Sequence, residues 1–310
     1  MEDCIISKKL QILDELCAVS IAPIEGWTSR TAVHDGPGRY TYDSRWARTS
    51  LPCSFAAGQT AFLKTRVSIP DSVTLRRAYL QFDFEMMEGL LAVDGEPYCG
   101  LDANHRRVLV PGKSDYELAI EFASVPDVIS NSALRFKRGL FKGGCICVVD
   151  RKVEAFCLQA RFAWETSRVA GDERTVRLLG EAVEAALLAV DLTLPRRQFL
   201  AEVGKAAGIL KDRLAAIDSG AANGRVFATG HTHIDTAWLW PLKETIRKCS
   251  RTFATACRLM ERYPNYYFAC SQPQLYQYTR QHFPSLYKQI KKRVREGRWE
   301  TTGAMCIVIE

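Results

Sequence analysis

At 310 residues and 47% hydrophobic side chains, the chain holds enough apolar material for two cores. Its net charge of +7, from 42 Lys and Arg against 35 Asp and Glu, is spread along the sequence without a polybasic tail, which speaks for solubility and against a nucleic-acid partner. The charged start MEDCIISKKLQ lacks the apolar stretch of a secretory leader, no run approaches the ~20 apolar residues of a membrane span, and eleven irregularly spaced cysteines suit a reducing compartment, so the expectation is a cytoplasmic protein with no membrane partner.

Residues 1–35 are read as an amino-terminal helical segment, on the strength of the piece KKLQILDELCAV. Residues 36–165 carry short alternating segments such as TAFLKTRVSI, RAYLQFDFEM and YELAIEF, separated by Pro, Gly and Asp clusters, and predict an antiparallel β-sandwich. Within it, the stretch 89–111 has a hairpin turn at Asp94 and Gly95, and His105 reads as a hydrogen-bonding loop residue; turn geometry explains Asp94 and Asp102 as well as ion binding does. Residues 166–220 form a helical connector of two amphipathic patterns broken at Pro195, the first burying Val176, Leu179, Val183, Ala186 and Leu187. The linker SGAANG, 219–224, leads into the last region, 221–310.

That region opens with RVFAT, 225–229, read as a short buried strand, followed by GHTHIDTAWLWP, 230–241. His231, His233 and Asp235 stand at every second position, so in extended chain they share a face. Imidazole nitrogen and carboxylate oxygen on one face suit a borderline divalent cation such as zinc, which takes four ligands and in catalytic sites keeps one position open. Indole faces at Trp238 and Trp240 are candidates for stacking on a sugar; Trp238 is assigned to the site and Trp240 to the core. Residues 241–263 have helical periodicity, with Ile246, Phe253, Cys257 and Met260 near one face. YYFAC, 266–270, predicts a buried strand, and a helix from SQPQLYQY runs to near Gly297, its Lys291, Lys292, Arg293 and Arg295 forming a solvated outer face. Strand, helix, strand, helix, strand is the start of a parallel α/β barrel-like domain, whose sites gather at the carboxyl ends of the strands.

The motif resembles family 38 of the glycoside hydrolases, the α-mannosidases, in which a His-x-Asp is followed three residues later by a tryptophan; His233, Asp235 and Trp238 fill that pattern. The form GHxHxDxAWLWP is similar to the cytosolic and bacterial branch, and the Val-Asp-Gly turn and the Gly-x-Asp-x-x-His segment near residue 100 resemble that branch's amino-terminal sandwich. The resemblance implies a retaining, metal-dependent α-mannosidase acting on mannose-containing oligosaccharides. His233 and Asp235 would ligate one zinc or cobalt ion, Trp238 would pack under mannose, and His231 would orient the ligands.

Toward the end, relatives read Gly-Arg-Trp-Glu-Pro-Thr-Gly-Gly-Met-Trp-Val-Glu-x-Asp, the final aspartate serving as nucleophile. GRWETTGAMCIVIE puts Glu310 at that position, Val308 in place of the glutamate and Cys306 in place of the tryptophan. Glutamate is one methylene longer than aspartate, and a misplacement of about 1 Å costs ~100-fold in rate. With the later acid/base carboxylate and histidine ligand not following, and an apolar run at 306–309, the expectation is a truncated, inactive enzyme fragment.

Two other classes compete. A non-catalytic carbohydrate-binding remnant would keep the sandwich and partial barrel without chemistry. Another His-x-His-x-Asp metallohydrolase fits less well, because the metallo-β-lactamase pattern needs a histidine where Thr236 stands. A homo-oligomer is compatible with the sequence.

Overall fold

The computed structural model describes residues 3–71, 73, 75, 78–110, 112–124, 138–217 and 226–302. The chain divides into two compact units, Met1–Ile21 with Cys147–Val226, and Ala22–Ile146 with Phe227–Glu310. Among the described residues no helix is long and apolar enough to cross a membrane.

The first unit is helical. Helix α1 (Asp3–Leu16) buries Ile6, Leu10 and Leu13, spaced to form one stripe. Where the sequence reading carried the helical segment to residue 35, strands β1 (Ala18–Ile24) and β2 (Thr28–Gly36) follow instead, in a stretch of alternating β-branched residues. Helix α2 (Arg151–Ser167) lies largely inside the stretch 36–165 read as strand-rich. It starts where the Asp150 carboxylate accepts the backbone N–H groups of Lys152 and Val153, and it buries Val153, Phe156, Cys157 and Ala160 at helical spacing. Helices α3 (Glu173–Leu188) and α4 (Arg196–Ala215) match the two expected patterns: Asp172 caps α3, and Pro195 sets the start of α4. Lys9 and Arg196 reach the carbonyls of Leu187 and Leu16 at 3.1 and 2.6 Å, tying α1 to α3 and α4.

Two strand layers dominate the second unit. One is a seven-stranded antiparallel sheet in the order β3 (Arg39–Tyr42), β2, β6 (Thr60–Ser68), β11 (Asp115–Ser124), β8 (Met87–Val93), β9 (Glu96–Leu101), with β4 (Ala47–Arg48) on β2. The other, five-stranded, runs β1, β12 (Gly139–Val149), β7 (Ala78–Glu85), β10 (Arg107–Leu109), with β5 (Cys53–Phe55) on β12. The layers meet through aromatic side chains: Phe122 of the first lies 4.9 Å from Phe84 and 5.8 Å from Phe141 of the second, centroid to centroid. The β8–β9 hairpin turns at Asp94 and Gly95 with φ of 49° and 83°, the double positive φ that a two-residue hairpin turn demands.

The same unit contains a three-stranded parallel sheet, β13 (Gly230–His231), β14 (Phe268–Ala269) and β15 (Trp299–Glu300). Between these strands run α5 (Leu242–Arg262), α6 (Pro273–His282) and α7 (Pro284–Arg295). Their shared core includes Ile234, Phe253, Met260, Phe268, Leu286 and Trp299.

Two expectations need correction here. The buried strand at 225–229 is not formed: Val226 and Phe227 are 94% and 90% exposed and not in a strand, and Arg225 lies outside the described residues. Pairing begins only at Gly230, whose N–H donates to the Tyr267 carbonyl at 2.8 Å and whose missing Cβ makes room for the Tyr266 hydroxyl. The single helix expected after residue 271 is two, broken at Phe283. Pro284 supplies no N–H and pushes its predecessor out of the helical region, to φ −136° and ψ 62°.

Candidate functional site

The loop after β13 is pinned by its apolar residue. Ile234 is buried in the core, so His233 and Asp235 on either side of it project away from that core. His233 Nε2 lies 2.8 Å from Asp235 Oδ1, with the two side chains 51% and 23% exposed. The sequence-assigned metal pair is thus brought together.

Neighbouring elements hold the loop backbone. The Ile234 N–H points to Gln272 Oε1 at 3.4 Å. On the first turn of α5, the buried Thr245 hydroxyl donates to the Thr236 carbonyl at 2.5 Å and accepts the Trp240 indole N–H at 3.0 Å. Trp240, assigned to the core from sequence, is only half-buried, with the Lys248 ammonium 4.4 Å from its ring centroid. Trp238 is 62% exposed and meets Trp240 edge-on at 6.0 Å. Glu310 lies outside the described residues.

A cleft of ≈ 370 Å³ opens beside the loop. His231, His233, Trp240 and Lys248 line it together with Asp102 and His105, from the loop between β9 and β10. Asp235 and Trp238 are not in this lining.

Beneath the cleft, α5 carries a stripe of buried charge. Arg251 pairs with Glu244 and, at 3.2 Å, with Glu88 of β8, while Arg247 Nε reaches Glu121 of β11 at 2.9 Å. Lys248 lies 3.5 Å from Glu88. Burial lowers the Lys248 pKa, and Glu88 only partly offsets it. For Arg251 burial acts the same way, but the charges of Glu244 and Glu88 outweigh it and hold the guanidinium above its usual range. His34 of β2 lies beside this stripe, fully buried. Arg247 donates to its Nδ1 at 3.2 Å, which leaves the neutral ring's proton on Nε2, a buried atom with no hydrogen bond by distance and angle among the described residues. Burial and the Arg247 charge push the His34 pKa down to about 4.

Sequence reasoning missed Glu244, Arg247 and Arg251 as interior residues, and did not place Asp102 and His105 in a cleft with the motif histidines. Helical periodicity ranks charged residues as outward-facing; their acidic partners Glu88 and Glu121 lie over 120 residues away in sequence, on strands.

As to metal, an imidazole nitrogen and a carboxylate oxygen that converge are donors of the kind a borderline divalent cation takes. Among the described residues no group of three or more His, Cys, Asp or Glu side chains is placed to hold a metal ion, so the pair fits as part of a ligand set.

A His-x-His-x-Asp-x-x-Trp loop therefore leaves the first of three parallel strands, its metal-type donors converging beside a cleft. Residues 223–308 match the glycosyl hydrolases family 38 N-terminal domain. Among curated proteins, the chain is 41% identical over 104 residues to alpha-mannosidase 2C1 of Homo sapiens, covering 34% of this chain and 10% of that protein. It is 42% identical over 86 residues to alpha-mannosidase G of Dictyostelium discoideum, 28% of this chain and 8% of that protein. With the Saccharomyces cerevisiae alpha-mannosidase the identity is 42% over 65 residues, 21% of this chain and 6% of that one. The aligned stretches span a tenth or less of these relatives' own length.

Proposed function

We propose that the loop 231–240 is the cation- and mannose-binding part of a retaining α-mannosidase acting on mannose-containing oligosaccharides. The convergence of His233 and Asp235, inside the segment that matches family 38, is the observation that carries the reading. The parallel strands with intervening helices support the start of an α/β barrel-like domain, with the loop at the carboxyl end of its first strand.

In this reading His233 and Asp235 would hold one divalent ion, zinc or cobalt, as part of its ligand set. Such an ion would supply Lewis-acid chemistry for vicinal sugar hydroxyls and for the charge of an oxocarbenium-like transition state. Trp238 offers a largely exposed indole to the C–H face of the sugar. Thr245 holds the backbone carbonyl of Thr236 and the Trp240 indole, so the donors need little reorganisation on binding. Glu310 is the positional match to the family nucleophile; such a group attacks the anomeric carbon from one of two carboxyls about 5–5.5 Å apart.

The test is cleavage of an aryl α-mannoside, and binding of methyl α-mannoside, by the 310-residue chain with added zinc or cobalt. Metal-dependent mannoside binding that His233→Ala removes is the expected result. Turnover with it establishes the hydrolase, and binding without turnover favours the carbohydrate-binding class. Failure to bind mannoside at saturating metal overturns the reading.

A further inference from the structure

The β9–β10 loop is built like a ligand-facing loop. Asp102 Oδ1 accepts the backbone N–H groups of Asn104 at 2.7 Å and His105 at 3.0 Å, which fixes the turn. The same carboxylate holds the His105 ring, with Nδ1 2.8 Å from Oδ2 and 3.0 Å from Oδ1. Nδ1 is thus set as the donor to the carboxylate, and Nε2 is the ring atom left to meet a ligand. The His105 side chain is 47% exposed and lines the cleft shared with His231 and His233.

The loop's placement is equally fixed. Just before it, the Gly100 N–H donates to Thr255 Oγ1 of α5 at 3.0 Å, and a Cβ at Gly100 would sit 2.8 Å from the Arg251 carbonyl. Helix α5 also carries Thr245, which holds the motif loop. One helix therefore sets the distance between the two loops.

The cleft's charges indicate what it takes. Arg251 is engaged by Glu244 and Glu88, and Lys248 by Glu88, so its cations already face carboxylates. Asp102 is likewise engaged by His105. An anionic ligand finds its counter-charges in use, whereas a neutral polyhydroxylated one finds an oriented imidazole, an ordered set of polar atoms and aromatic walls at Trp240 and Tyr266.

We propose that His105, oriented by Asp102, hydrogen-bonds a sugar hydroxyl through Nε2, so that the strand-rich part of the second unit supplies one wall of the mannoside site. This rests on the α-mannoside reading given above. It adds a binding residue from the β9–β10 loop, more than 120 residues before the motif.

The experiment uses the zinc-loaded 310-residue chain and methyl α-mannoside. Mannoside affinity is measured by calorimetry for the parent chain, His105→Ala, Asp102→Asn and Trp238→Ala, with zinc affinity and thermal unfolding recorded for each. The histidine ring resonances of the parent chain are followed in the same titration, tractable because the sequence has only five histidines. The proposal expects His105→Ala to bind mannoside about tenfold more weakly with zinc affinity unchanged, a smaller loss for Asp102→Asn, and a shift of the His105 resonance on titration. Unchanged mannoside affinity in His105→Ala while Trp238→Ala weakens it overturns this inference and leaves the α-mannoside reading standing. Loss of zinc by His105→Ala makes His105 a metal ligand and overturns it too. Should His105→Ala fail to fold, a His105 resonance that stays still at saturating mannoside decides against it. No mannoside binding by the parent chain removes both readings.

Discussion

Gly100 of β9 and Thr255 of α5 are joined backbone N–H to hydroxyl at 3.0 Å, a contact that fixes the cleft wall to the helix behind the motif loop. A methyl at Gly100 would meet the Arg251 backbone carbonyl at 2.8 Å, and backbone does not swing aside as a side chain does. Gly100→Ala is expected to destabilise by about 1–3 kcal/mol through forced displacement. Gly204, inside α4 with open space where a Cβ would stand, gives the opposite sign: Gly204→Ala should stabilise by about 0.5–1 kcal/mol. Urea denaturation of both variants against the parent checks the pair of signs.

Glu244 is buried between Arg247 and Arg251. Removing it leaves two buried guanidinium groups short of counter-charge, so Glu244→Ala is expected to lower stability by about 3–5 kcal/mol. Glu88, whose side chain is 29% exposed, lets water replace it, and Glu88→Ala should cost clearly less. Denaturation midpoints at constant m-value provide the comparison.

His34 gives the acid limb of stability a defined window. It faces Arg247 and Lys243 of α5, Glu121 of β11 and the stacked Tyr40 ring of β3. Its pKa is about 4 in the folded state against an ordinary 6.5. Between these values the unfolded chain takes up a proton that the folded chain refuses. Stability should therefore fall as pH drops from 6.5 toward 4, at up to ~1.4 kcal/mol per pH unit, and this contribution levels off below that. His34→Gln is expected to flatten that part of the profile, read from unfolding free energies at pH 4, 5, 6 and 7.

The parts of this molecule legible in its sequence are those set by local pattern. Period-two alternation gave the strands around residues 60–69 and 116–122, a Val-Asp-Gly turn gave the β8–β9 hairpin, and the 3.6 period with Pro195 gave α3 and α4. His-x-Asp spacing pointed to a convergent pair that the fold does bring together. What pattern left hidden depends on partners distant in sequence. Arg247 and Arg251 are interior because acids on β8 and β11 meet them, and Val226 and Phe227 stay exposed because apolar character alone does not supply a strand partner. His105 reaches a cleft because β9 is docked on α5.

Trp238 and Trp299 should separate binding from stability. Trp238 is 62% exposed, so Trp238→Ala is expected to weaken methyl α-mannoside binding about tenfold and to move stability by less than about 0.5 kcal/mol. Trp299 is buried against Phe253 and Phe268 and donates its indole N–H to Tyr276. Trp299→Ala should cost about 3–5 kcal/mol. Calorimetric titration and thermal unfolding of each variant test the contrast.

Zinc titration of the metal-free chain by calorimetry tests most directly whether His233 and Asp235 together hold a divalent ion. One zinc per chain is predicted, with affinity lowered at least about tenfold in His233→Ala and in Asp235→Ala while both variants keep the parent's unfolding temperature without metal. Zinc bound equally well by the parent and both variants would contradict the claim.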